Sequence, residues 1–246
     1  MKFPIIGALR HLRHLTKVLL AVPLFGLLSA DPATAPADDV VTRYRDALQK
    51  SQTSTRNLAA DVTFEASIPS LKKEGKMNAL RKISALGRVT YKVLGFSGDD
   101  TVKKEVIARY MAAEIDSAAK PSTDVAITPD NYNFKYKGLQ YREGQRVHVL
   151  ELKPRHNRVG LFKGELWLDE ATYLPRREQG RFVKSPSIFI KKLDFVRNYE
   201  IRDGVAYLVH FNGTTDTRIV GKAELNADFS NYHVESESQT VEEATN

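Results

Sequence analysis

From Asn57 to Ile68 apolar and polar positions alternate. Leu58, Ala60, Val62, Phe64, Ala66 and Ile68 fall on one side, and Ala59, Asp61, Thr63, Glu65 and Ser67 on the other. Successive side chains of a strand point to opposite faces, so this is a long, half-buried strand. The pattern returns at Gly87–Phe96, with Val89, Tyr91 and Val93 on one face, and at Tyr132–Lys137, Arg146–Leu152 and Phe162–Leu168. It continues through Ser187–Tyr199, Val205–Phe211 and Gly221–Phe229. Pro69–Lys76 reads as a turn or a mobile loop, and Met77–Ser84 as a weakly patterned return strand. Asp203-Gly204 is a hairpin signal. The pattern predicts eight to ten strands.

Two segments have helical spacing instead. Val41, Tyr44, Ala47 and Leu48 follow Asp38 and Asp39, which can cap a helix running to about Gln52. Val102, Val106, Tyr110 and Ala113 form one stripe of a second helix, Thr101–Ala118, with Ile107 and Met111 beside it. Gly95, Gly98 and Asp99-Asp100 stop the preceding strand and cap this helix, and Lys120-Pro121-Ser122 ends it.

So many alternating strands predict an antiparallel sheet with one apolar face. Two helices cannot cover ten strands as a flat layer. The sheet must curl, split or leave apolar surface for something else. The residues expected on that face are Leu58, Val62, Phe64, Val89, Tyr91, Phe134, Leu150, Leu166, Leu168, Phe195, Val209 and Phe211. They either fill a closed sandwich or barrel core, or line a cavity for an apolar ligand.

The first 37 residues read as an address. A basic stretch to Lys17 precedes the 13-residue apolar run Val18–Ala30, which is short of the roughly 20 residues a membrane span needs. Ala35-Pro36-Ala37 fits a signal-peptidase site, with cleavage after Ala30 as the alternative. The expected organisation is a signal peptide over 1–37, one domain over 38–234 and a polar acidic tail over 235–246. The expected location is the periplasm, as a soluble protein.

Among 246 residues there are 37 basic and 30 acidic side chains, a net charge of +7. Setting aside the leader's Lys2, Arg10, Arg13, Lys17 and Asp31 leaves 33 basic and 29 acidic residues, a net of +4. That is a mild balance, weak support for nucleic acid. The absence of cysteine excludes disulfides, thiolate zinc sites, cysteine nucleophiles and lipid attachment to cysteine.

No nucleophile-elbow, zincin, P-loop or dinucleotide motif occurs. His148, His156, His210 and His233 are scattered, without metal-ligand spacing. Asp169 and Glu170 sit where a turn is expected rather than a catalytic carboxylate pair. Lys72-Lys73, Lys103-Lys104, Arg176-Arg177 and Lys191-Lys192 read as solvated faces. Tyr132, Phe134 and Tyr136 beside Lys135 and Lys137 imitate a nucleic-acid stacking platform, against which the secretory leader argues.

The residues Tyr132–Lys137 (YNFKYK), Val147–Arg155 (VHVLELKPR), Gly164–Pro175 (GELWLDEATYLP) and Arg177–Phe189 (REQGRFVKSPSIF) follow one another in a familiar order. A strand ends in L-x-x-L-K-P-R, a later strand in W-L-D, and a turn carries L-P. In this, Ile127–Phe229 resembles the outer-membrane lipoprotein-sorting and lipoprotein-carrier (LolA-like) superfamily. The resemblance implies a mainly β, α+β fold: a curled antiparallel sheet forming an unclosed half-barrel, with helices as a lid over its concave face. It implies a non-enzymatic protein without cofactor or metal, binding lipid or lipoprotein acyl chains and meeting a donor or acceptor protein of the inner or outer membrane, with no nucleic acid. Val102, Val106, Tyr110 and Met111 would form the lid, with Val41, Tyr44 and Leu48 on the other helix. The carrier's lid-latching arginine stretch, G-x-L-x-x-x-R-P, is not recognisable, and its role transfers to neither Arg81 nor Arg88. The alternative on the same fold is a periplasmic protein-interaction or envelope-stress sensing module.

Overall fold

The computed structural model describes residues 37–120, 122–185 and 190–235. The predicted signal peptide, save Ala37, and the acidic tail beyond Glu235 lie outside the described residues. The alternating segments form ten strands: β1 (Leu58–Ile68), β2 (Lys73–Ile83), β3 (Val89–Gly98), β4 (Tyr132–Arg142), β5 (Gln145–Pro154), β6 (Phe162–Asp169), β7 (Pro175–Phe182), β8 (Ile190–Arg202), β9 (Val205–Thr217) and β10 (Lys222–Val234). All adjacent pairs are antiparallel. They make a single sheet in the order β3-β2-β1-β10-β9-β8-β7-β6-β5-β4. β3 and β4 are free edges, so the sheet is not closed into a barrel.

The sheet curls for local reasons. Six register shifts interrupt its ladders, and each such irregularity bends a strand and adds twist. At Gly164 and Gly180 the backbones of β6 and β7 approach so closely that side chains do not fit. A Cβ on Gly164 would lie 1.9 Å from the Gln179 carbonyl oxygen, and one on Gly180 2.4 Å from that of Lys163.

Helix α1 (Ala37–Ser51) carries Asp38 and Asp39 in its first turn, where their charge is favourable to the helix dipole. The second helical segment begins where Asp99 caps it, its Oδ1 accepting from the Thr101 N–H at 2.7 Å. It runs as α2 (Asp100–Val102), a π turn at Lys103–Ile107, and α3 (Ala108–Ala118). Because β3 and β4 are opposite edges, the chain between them must cross the whole sheet, and this segment begins that crossing over the concave face. Val102, Val106 and Ile107 pack on the half of that face around Phe64, Ala66 and Met77. Helix α1 covers the other half, with Val40, Val41 and Tyr44 buried in the same core as Tyr132 and Leu150.

Two expectations are corrected. The turn expected within Pro69–Lys76 is a short 3-10 turn, Pro69–Leu71, but the return strand β2 begins at Lys73 rather than at Met77. Alternation does not reveal β7. This strand opens on proline, carries Arg176 and Arg177, and turns a glutamate inward, so its periodicity is hidden. Tyr132, Phe134 and Tyr136 pack in or against the concave core, in keeping with the reading that they are no nucleic-acid stacking platform. The Asp203-Gly204 hairpin is present, both residues having positive φ. The turn reading of Asp169 also holds, its carboxylate accepting from the Ala171 and Thr172 backbone and from Arg176.

Candidate functional site

The concave face is where the helices meet the sheet, and most of it is filled. Of the twelve residues expected there, Val62, Phe64, Leu150, Leu166, Leu168, Phe195 and Phe211 belong to one buried cluster, with Tyr91 and Phe134 packed against it. Leu58 and Val89 are buried outside that cluster. Val209 does not join it. The shift between Asn198 and Tyr199 places Leu208 opposite Tyr199, and Leu208 packs on the core instead. Of the predicted lid residues, Val102 and Val106 are in the cluster, and Tyr110 and Met111 lie against it.

The filling leaves a cavity of about 130 Å³ between α3 and strands β8 to β10. Val106, Tyr110 and Ala113 form its roof, and Leu193, Phe211, Gly213, Ala223 and Leu225 its floor. Phe211, Val106 and Tyr110 are the only sequence-predicted site residues on its wall. Leu193, Ala223 and Leu225 were missed, although the alternation of β8 and β10 carried the signal. Tyr110 stands edge-on to Phe64 (ring centroids 5.7 Å) and tilted against Phe211 (4.7 Å), tying roof to floor.

A polar clasp holds α3 beyond this cavity. Arg81 of β2 points inward and donates to Glu114 of α3, Nη2 to Oε1 at 2.5 Å and Nε to Oε1 at 3.0 Å. The Tyr91 hydroxyl donates to the other Glu114 oxygen. The Arg81 guanidinium also lies 5.8 Å over the ring of Phe229. The Arg81 and Glu114 side chains are only 12% and 21% exposed. Burial alone would lower the pKa of Arg81, but Glu114 and Tyr91 outweigh it and raise it. Burial, reinforced by Glu114, raises the phenol of Tyr91. Arg88 is exposed. The concave side of β2 is thus apolar at Met77 and Ala79 and cationic at Arg81, a break in pattern that marks the position.

A second ion pair crosses the floor. Glu178 of β7, 8% exposed, accepts from Nη1 of Arg197 on β8 at 3.0 Å. Tyr44 of α1 and Tyr199 of β8 adjoin it, their phenols raised well above the ordinary value first by burial and then by Glu178. Tyr132, whose hydroxyl accepts from the Phe162 N–H at 3.2 Å, is pushed up to about 12, chiefly by burial.

His148 is the buried histidine. Its Nδ1 is 2.7 Å from the Tyr136 hydroxyl, and its ring stacks on Tyr173 at 4.8 Å. Tyr173 in turn carries Arg43 of α1 over its ring. Burial holds the imidazole below its ordinary 6.5; Arg43 adds to this, while the backbone and charge of Glu170 and the charge of Asp169 oppose it. The unfolded chain therefore takes up this proton first as pH falls. The stability contribution is complete above about pH 6.5 and is lost as pH falls towards the folded value. Urea midpoints should drop between pH 7.5 and pH 5, and His148→Gln should flatten that drop. An unchanged slope in the variant would remove His148 from the account.

Among the described residues no group of histidine, aspartate and glutamate is placed to hold a metal, and no helix is long and apolar enough to cross a membrane.

Neither a family model nor a curated protein matches the sequence. Solved structures similar to the chain include a DUF1329 family protein from Desulfovibrio piger (13% identity, TM-score 0.39, 80% of this chain and 94% of that one). Another is an outer-membrane lipoprotein-sorting protein domain from Vibrio parahaemolyticus (12%, 0.40, 85% and 98%). A third is a LolA superfamily protein from Nitrosomonas europaea (9%, 0.40, 83% and 96%).

Proposed function

We propose that this chain is a periplasmic, non-enzymatic carrier that binds a lipid or lipoprotein acyl chain on the concave face beneath α3. The observation that carries this reading is the apolar cavity between a lid helix and an unclosed sheet. Its size sets the mechanism. A dry apolar cavity of about 150 Å³ takes one benzene, so about 130 Å³ accepts only a short stretch of acyl chain. A longer chain enters by lifting the lid and parting α3 from Phe211 and Leu225. Each buried CH₂ contributes about 0.8 kcal/mol. Ten of them supply about 8 kcal/mol before ordering costs, more than the ~3–5 kcal/mol at stake in breaking one buried ion pair. Acyl burial is therefore large enough to open the Arg81–Glu114 clasp, and loss of the acyl chain lets it reclose. Delivery calls for a donor or acceptor protein at a membrane.

Lipid mass spectrometry on the protein prepared from a periplasm without detergent tests this. A stoichiometric acyl species supports the carrier and identifies its cargo class. A lipid-free protein that also refuses a fluorescent acyl probe overturns it. The largely filled core would then favour a partner-binding module, with edge strand β3 and its exposed Val93 and Leu94 as the contact. A narrower check uses Ala223→Leu, which places a larger side chain in the cavity floor. Probe uptake should fall at least tenfold while the urea midpoint moves by no more than about 1 kcal/mol equivalent. Unaltered uptake would put the binding surface elsewhere.

A further inference from the structure

One group of side chains has no task in burying an acyl chain, namely the Glu178–Arg197 pair on the concave floor. Glu178 stands in register with Leu166 on one side and Arg197 on the other. Buried ion pairs rarely repay their desolvation, and apolar residues of similar volume would hold the sheet as well. Tyr44 of α1 lies near Glu178 and Tyr110 of α3 near Arg197, so each covering helix brings one phenol to the pair. Glu178 is shielded, its side chain 11% exposed, while that of Arg197 is 35% exposed. Arg197 spends one N–H on Glu178. The hydroxyls of Tyr44 and Tyr110 make no hydrogen bond among the described residues. The site therefore holds spare donors around a cation that is already neutralised.

On the acyl-carriage reading, we infer that Glu178 and Arg197 form the ligand's head-group site and select an uncharged ester or hydroxyl head over a free carboxylate. Ester and hydroxyl oxygens accept from the spare N–H and O–H groups without adding charge. A carboxylate would bring a second anion beside Glu178, with one guanidinium to share between them. Arg197 is in register with Phe211, which lines the cavity with Tyr110. A head group at Arg197 thus leaves the tail running under the lid into the cavity.

The test compares monolaurin with laurate, equal in tail and different in head, binding the purified protein at pH 8. The wild type should bind monolaurin about tenfold more tightly. Glu178→Gln, an isosteric change, should leave monolaurin within about threefold and raise laurate affinity about tenfold, because the freed Arg197 then pairs with the carboxylate. Equal affinities in the wild type, or no gain for laurate in a folded Glu178→Gln variant, overturn the inference. Should that variant not fold, the wild-type preference decides, together with Tyr110→Phe, which loses one donor and should weaken monolaurin severalfold. Should the wild type take up neither ligand nor an apolar fluorescent probe, the carriage reading itself fails and this site with it.

Discussion

Leu166→Asp should yield a chain that does not fold. Leu166 is fully buried between Leu150 and Glu178, its neighbours in register on β5 and β7. The substitution removes the packing of a core leucine, about 2–5 kcal/mol, and sets a carboxylate beside Glu178 in the same dry layer. Arg197 can neutralise one of the two. The second must either ionise against its neighbour or take up a proton, and each route costs several kcal/mol. Against a total stability of about 5–15 kcal/mol the sum is decisive. Circular dichroism and size exclusion of the expressed variant check it, and a folded Leu166→Asp protein at pH 7 would show that this layer is wet. Leu166 is consequently a structural position and a poor probe of ligand binding, whereas Ala223 tests the cavity directly.

Cutting the clasp should have the next largest effect. Glu114→Ala leaves the Arg81 guanidinium buried against Phe229, with the neutral hydroxyls of Tyr91 and Tyr232 near it and no carboxylate partner. A stranded buried charge costs about 3–5 kcal/mol, and the loss falls on the contact between α3 and β2. The urea midpoint should drop accordingly, and an apolar fluorescent probe should enter faster, because the lid opens more readily. The double variant Arg81→Leu/Glu114→Leu should recover most of the stability, since removing both charges together strands neither. If that double variant is as unstable as Glu114→Ala, the pair acts as no more than packing. If probe entry is unchanged in Glu114→Ala, α3 is not the gate.

These two cases show how unevenly the sequence speaks. Phe64, Leu166 and Leu168 could be assigned to the inner face because each lies within a run whose alternation is unbroken. Val209 is assigned there by the same alternation and does not belong, because the register shift at Asn198 and Tyr199 reverses the phase of β9 and substitutes Leu208. β7 escaped notice for a related reason: its inward position is Glu178, which reads as solvent-facing until Arg197 is set beside it. Arg81 carried an interpretable break in pattern, a cation at an inward position of β2, yet its partner is 33 residues away on a helix. No local rule pairs them.

The sequence by itself determined nine of the ten strands, the two helical segments, the Asp203-Gly204 hairpin and the excess of apolar sheet face over helical cover. These are properties of periodicity and turn chemistry within a few residues. The tertiary structure alone decided that β1 lies beside β10, leaving β3 and β4 as edges that the helical crossing must span. It also decided that the unfilled space falls between α3 and β8–β10, and that Arg81–Glu114 and Glu178–Arg197 meet on the concave side. The reason is physical: strand order, bulge phase and the depth to which a helix settles depend on contacts between residues far apart in the chain, and alternation along one strand carries no record of them.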